Sequence, residues 1–153
     1  MKIVIYSVGR KSKQDYLETI KNYSNRLSNT HNLSWEFLAP SSCNGAKARK
    51  LESDAIRARL KPNDIVWLLD ETGQQISSLQ LSTKINTLQN TGISRLAIVI
   101  GGAYGVDADL LKQASWVWSL SKLVFPHQMV RLILIEQLYR ADQIQKGTAY
   151  HHA

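Results

Sequence analysis

Three stretches of this chain carry residue types that could do chemistry, and each follows or continues an apolar run of the kind that forms a strand. The first, LLDETGQQISS (68–78), sets Asp70, Glu71 and Gly73 together. A carboxylate pair can serve acid–base catalysis or hold a metal ion. Adjacent strand residues point to opposite faces, and no His or Cys stands nearby, so the pair reads as a polar strand end. The second, IGGAYGVD (100–107), has Gly101, Gly102 and Gly105 where the backbone can turn tightly and approach a ligand. It is not G-x-G-x-x-G and no Gly-Lys-Ser/Thr follows, so both phosphate-loop fingerprints fail, and a bare tight turn explains it equally well. The four histidines (His31, His127, His151, His152) lack metal-ligand spacing, and no metal is expected. There is no Gly-x-Ser-x-Gly elbow, and Cys43 has no helix context that would mark a nucleophile.

The third stretch is SLSKLVFPHQMVRLILIEQLYR (119–140). Pro126 suits the first turn of a helix, where its missing N–H costs nothing, and it forces the residues before it to be extended. Residues 119–125 should therefore form a fixed loop or strand with exposed backbone donors and acceptors. The helix that follows is apolar around most of its circumference, with four apolar residues in a row, yet carries two arginines. Such a helix must be buried from more than one side. A sheet covers one side, so a second protomer or a wrapped segment of chain must cover the rest. Glu136 and Arg140 stand four apart in the favourable order, as a surface ion pair worth about 0.3–0.5 kcal/mol.

The elements that must position these stretches alternate. Strand patterns occupy 2–8, 33–38, 64–70, 95–102 and 115–120. Of these, DIVWLLD is continuously apolar, as in a strand covered on both faces. Helical spacing links Tyr16, Leu17, Ile20, Tyr23 and Leu27, and again Ala48, Leu51, Ala55, Ile56 and Leu60, with Pro62 as the stop. Ser78 can cap a helix through Leu81, Ile85 and Leu88 that ends near Gly92. A short helix is expected over 106–114 and a long one from about His127 to Lys146, ended by Gly147. Residues 39–47 read as a polar loop. Alternation of this kind predicts one α/β domain over 1–153, a parallel or mostly parallel sheet with helices on both faces. Ligands in such sheets bind beyond the carboxyl ends of the strands, where all three stretches lie.

Composition narrows the class. A chain of 153 residues is near the usual size of one domain and buries about 68–70% of its unfolded surface. One cysteine cannot form an internal disulfide, which suits a reducing compartment. The opening MKIVIYSVGRKSK lacks the apolar length and small-residue site of a signal peptide, and no run approaches the roughly 20 apolar residues of a membrane span. A cytosolic protein is expected. Net charge is +7, and its distribution is uneven. Residues 1–61 hold 12 basic and 5 acidic side chains, a surplus of seven, whereas residues 62–153 hold 7 of each. The clusters are Arg10-Lys11-Lys13, Lys47-Arg49-Lys50 and Arg57-Arg59-Lys61. A basic first two-fifths of this kind suits a surface that faces the phosphates of a polyanion, although charge alone is explained as well by a solvated face.

IGGAYG, the long SLSKLVFPHQMVRLILIEQLYRA and the terminal GTAYHH together resemble the small bacterial SPOUT methyltransferases that methylate N3 of a pseudouridine in large-subunit (23S) ribosomal RNA. MKIVIYSVGR and LLDETGQQISS sit where that family has its first strand and its third-strand loop, so the resemblance covers essentially the whole chain. It implies an α/β fold whose C-terminal segment threads a trefoil knot. It also implies S-adenosylmethionine bound in the knot, homodimers, and the assembled 70S ribosome as substrate. By position, Leu69, Gly101, Gly102 and Gly105 would hold the methyl donor with Ser121, Lys122, Leu123, Val124, Phe125 and Pro126. Arg140, Tyr150 and His151 match residues implicated in RNA binding or catalysis near the dimer interface. The resemblance leaves His151 as a candidate base and Arg140 as a group that stabilises developing charge on the target base. Some relatives end in Tyr-His-Arg or Tyr-His-Lys, whereas His152 stands here and supplies a cation only partly at neutral pH. On the same fold a catalytically silent ribosome-binding module is an alternative. The βαβ pattern and glycine loop alone also fit a flavodoxin-like nucleotide binder.

Overall fold

Strand β1 (Lys2–Val8) divides its side chains between two cores. Ile3 and Ile5 turn to one face, Val4, Tyr6 and Val8 to the other, and all five are buried. A strand apolar on both sides needs cover on both sides, as strands of parallel sheets do. The computed structural model describes residues 1–10 and 16–152. Along the chain β1 is followed by α1 (Leu17–Ser28), β2 (Asn32–Leu38), α2 (Gly45–Arg57), β3 (Ile65–Gln74) and α3 (Ser78–Asn90). Then come β4 (Arg95–Ile100), α4 (Ala108–Gln113), β5 (Trp116–Trp118) and α5 (His127–Gln145). The five strands form one sheet in the order β2-β1-β4-β3-β5, every pairing parallel. The α/β class and the alternation expected from the sequence are both present.

Helices α1, α3 and α5 cover one face, where Leu27, Leu81, Ile85, Leu134, Ile135 and Leu138 meet Ile3, Ile5, Leu96, Ile98 and Trp67. Helices α2 and α4 cover the other, through Ala48, Ile56 and Leu110 against Val66, Leu68, Ala97 and Val99. Each such aliphatic side chain contributes about 1.5–3 kcal/mol when fully buried. At the β5 edge Trp116 and Trp118 stack at 5.2 Å, and Trp67 meets Trp116 edge-on at 4.8 Å. Among the described residues no helix is long and apolar enough to cross a membrane.

Several boundaries differ from expectation for local reasons. Strand β3 runs on to Gln74, so Asp70, Glu71 and Gly73 lie in a strand rather than after it. The extension is held by pairing of Gln74 with Trp118 beyond a break in register. Ser77, not Ser78, caps α3: its Oγ accepts from the Gln80 N–H while Gln80 Oε1 accepts from the Ser77 N–H, a complete capping box. The 39–47 segment is not wholly loop, because α2 begins at Gly45. Helix α5 finds much of its second cover within its own chain, between α1 and α3. Arg131, Leu134, Ile135, Leu138, Tyr139, Ala141 and Asp142 are buried, while Met129, Leu132 and Ile133 remain half-buried. Of the first basic cluster only Arg10 falls within the described residues; Lys11 and Lys13 lie outside them.

Candidate active site

The carboxyl ends of β3 and β4 and the segment leaving β5 enclose a cavity of about 540 Å³, within the usual 300–1,000 Å³ of small-molecule sites. Leu69 stands at the end of its β3 wall, followed by Asp70, Glu71 and Thr72. Asp70 Oδ1 accepts from the Thr72 backbone N–H at 2.9 Å and its hydroxyl at 2.5 Å, which fixes this rim. Gly101, Gly102 and Gly105 form a second wall, and Ser121, Leu123, Val124 and Phe125 a third. Lys122 is exposed and Pro126 is the N-cap of α5; neither lines the cavity. Leu123 and Val124 are 71% and 78% exposed, so this wall is open to whatever covers it. Among the described residues no lysine or arginine lines the cavity, whereas two carboxylates do.

The glycine wall is shaped by the protein's own side chains. A Cβ on Gly102 would stand 2.0 Å from Glu52 Oε2, so a side chain there would have to displace that carboxylate whether or not a ligand is bound. Gly105, at φ +73°, closes the turn with its N–H on the Gly102 carbonyl at 3.0 Å. Arg49 Nε donates to the Tyr104 carbonyl at 2.9 Å. Arg57 grips Asp107 with both terminal nitrogens at 2.6 and 2.8 Å. Asp107 also caps α4 by accepting from the Leu110 N–H, and the Arg57 bond holds its carboxyl below the usual carboxylate range. Thus Arg57, read from sequence as part of a basic cluster, is a structural partner of the glycine loop.

His127, on the first turn of α5, lines the cavity as well. Burial, then the charge of Arg131, push its pKa down, while a hydrogen bond to the Val8 backbone and the charge of Glu52 oppose the shift. The ring is therefore neutral at pH 7. Neither His127 nor Glu52 stood out as a site residue in the sequence. Glu52 follows Ala48 by four and precedes Ile56 by four, which puts a carboxylate on the buried stripe of α2, and that spacing was a usable signal.

Arg140 and Tyr150 are brought together elsewhere. Arg140 Nη2 donates to Glu136 Oε1 at 2.5 Å, and the guanidinium lies 4.9 Å over the Tyr150 ring. Tyr150 donates to the same Glu136 oxygen at 3.1 Å and contacts the Tyr23 hydroxyl at 3.0 Å. Burial first, then Tyr23 and Glu136, raise the Tyr150 phenol well above its ordinary pKa, so it is a donor and not a base. His151, next to Tyr150 in sequence, is half-buried, with Nδ1 buried and without a partner among the described residues. None of the three lines the cavity. From Val130, which does, to Arg140 is ten residues of α5, about 15 Å along the axis. The cavity and the cationic, phenolic cluster thus lie at separate positions along one helix.

Residues 1–151 match the family described as "Predicted SPOUT methyltransferase". The chain is similar to proteins named "Ribosomal RNA large subunit methyltransferase H" from three bacteria. It is 39% identical to that of Parabacteroides distasonis, and 40% identical to those of Christiangramia forsetii and Acetivibrio thermocellus, over 99% of both chains in each case.

Proposed function

The chain belongs to the SPOUT methyltransferase family, and from that premise we propose that it methylates ribosomal RNA with S-adenosylmethionine as donor. In this reading the target is N3 of a pseudouridine in 23S ribosomal RNA. The enzyme acts as a homodimer on the assembled 70S ribosome, in the cytoplasm. The observation that carries the reading is the charge of the cavity: carboxylates at its rim and, among the described residues, no lysine or arginine in its walls. A nucleotide phosphate would find no counter-ion there, which argues against a flavodoxin-like binder. A sulfonium compound with an apolar-faced purine fits Leu69, Ile100, Leu120 and Phe125, with Asp70 and Glu71 at the rim for its positive charge or hydroxyls.

The bound donor supplies a methyl group already activated by positive sulfur. The protein's own work is alignment and the disposal of one proton. Ser121, Leu123, Val124, Phe125 and the glycine turn hold the donor, and water is excluded once the exposed Leu123 and Val124 are covered. In this reading Arg140, fixed by Glu136 and stacked on Tyr150, stabilises negative charge on a base oxygen as the N3 proton passes to His151, whose Nδ1 has no partner among the described residues. It cannot do so at its own chain's cavity, about 15 Å away along α5. A two-fold partner would bring its Arg140, Tyr150 and His151 to this cavity and cover Leu123, Val124, Met129 and Ile133. In this reading the segment from β5 to α5 threads the C-terminal trefoil knot that the family implies. Calorimetry with S-adenosylmethionine, ATP and FMN, followed by single-turnover methylation of 70S ribosomes, tests the reading. Donor binding and one methyl per ribosome are expected. Binding without transfer would leave a silent module, and FMN binding would overturn the proposal. Arg140→Ala should retain donor affinity and lose at least 100-fold in the transfer rate.

A further inference from the structure

Arg131 is 3% exposed, and no carboxylate among the described residues pairs with it. Burying a guanidinium without a counter-ion is costly, and its neighbours show what holds it there. Nε donates to Ser7 Oγ at 2.8 Å, and Nη1 donates to the Arg10 carbonyl at 3.1 Å and to Gln128 Oε1 at 3.3 Å. The guanidinium lies 4.9 Å over the Phe37 ring. Nη2 is buried without a partner beneath Gly9, where a Cβ would stand 2.8 Å from it. Gly9 has φ +126°, so the turn lies flat on the guanidinium only because that residue has no side chain. The planar fork of Arg131 therefore clamps the end of β1 and the turn after it to the second turn of α5.

This turn borders the donor cavity. Val8 Cγ1 lies where it would be 3.2 Å from a Cβ on Gly102, a wall residue, and Arg10 follows Val8 by two residues, at most about 7 Å on. Arg10 is exposed while its own carbonyl is gripped from below. We propose that Arg131 is a positioning residue for RNA: by clamping the Gly9–Arg10 turn it holds the Arg10 side chain at the edge of the donor cavity, where it meets a phosphate of the substrate strand. The proposal rests on the ribosomal RNA reading above and names a contact within it.

Binding of a fluorescent 20-mer of uridylate, measured against salt concentration, tests both parts. Each phosphate contact on a single strand contributes about 0.7 to the slope of log K against log salt. Arg10→Gln, at an exposed position, should fold and lower the slope by about that amount. Arg131→Lys keeps the charge and most of the stem but replaces the fork with a single ammonium, which cannot hold Ser7 and Arg10 as the fork does. Its slope should fall by about as much, and the double variant should fall no further than Arg10→Gln alone. Donor affinity of Arg131→Lys, read by calorimetry, should stay within about twofold of wild type. A wild-type slope in Arg131→Lys, whatever its melting temperature, would reduce Arg131 to a purely structural residue. An unchanged slope in Arg10→Gln would remove the phosphate contact. If the wild type shows no salt dependence but binds the donor, this inference fails while the methyltransferase reading stands.

Discussion

At the scale of single residues, a carboxylate on an apolar stripe shapes the glycine wall. Glu52 accepts from the Ser41 N–H at 2.8 Å with one oxygen and presses the other against Gly102. Gly102→Ala should therefore cost about 1–3 kcal/mol and weaken donor binding, because the glycine wall must shift. Adding Glu52→Ala should recover donor affinity in part, even though the Ser41 N–H then loses its partner; a double variant no better than Gly102→Ala would refute the steric account. Titration gives a second expectation. His31 is buried against Asp142, and desolvation, partly offset by that carboxylate, lowers its pKa below the ordinary value of about 6.5. The unfolded chain then takes up the proton first as pH falls. Stability from this residue is complete above about pH 6.5 and is lost below it. Urea midpoints at pH 7.5 and 5.5 should show the decline, and His31→Gln should flatten it. Sequence made the tight glycine turn after β4, the extended segment before Pro126 and the Glu136–Arg140 pair legible from local geometry, whereas the roles given to these residues rest on the resemblance. It did not show that the Gly102 clash is with Glu52, because that contact joins positions 50 residues apart through packing alone.

At the scale of elements, α2 is the scaffold of the glycine loop. Arg49, Glu52, Ser53 and Arg57 reach Tyr104, Gly102 and Asp107 from successive turns of one helix face. Asp107→Ala removes the cap of α4 and one partner of Arg57. It should cost about 1–2 kcal/mol and weaken the donor site, whereas Asp107→Asn should keep the cap and lose less. Equal losses in the two variants would show that the ion pair, not the cap, decides the matter. The helices and strands themselves were readable because their apolar periods are clean, as in DIVWLLD and in the spacing of Leu81, Ile85 and Leu88. The extension of β3 through Asp70–Gln74 was not readable. Its hydrogen bonds come from β5, more than 40 residues away, and a polar DETGQ run gives no local hint of a strand.

At the scale of the whole molecule, the separation of cavity and cationic cluster along α5 makes the homodimer a requirement of the proposed chemistry. Sedimentation should give twice the 17.3 kDa chain mass at micromolar concentration. Ile133→Asp, on the half-buried side of α5, should yield monomers that retain the fold but lose methyl transfer. Monomeric wild-type protein with full activity would overturn the two-chain site. The sheet order carries a further consequence, which is optical. Trp118 lines the cavity in contact with Trp67 and Trp116 at the β5 edge, while Trp35 stacks on Phe37, the ring beneath Arg131, at the β2 edge. The four indoles thus fall into two groups on opposite margins of the sheet. In a Trp35→Phe background, emission should report donor occupancy alone, and with the other three replaced it should report the clamped turn alone. Intrinsic fluorescence can then time the arrival of donor and of RNA separately in one protein, without a label.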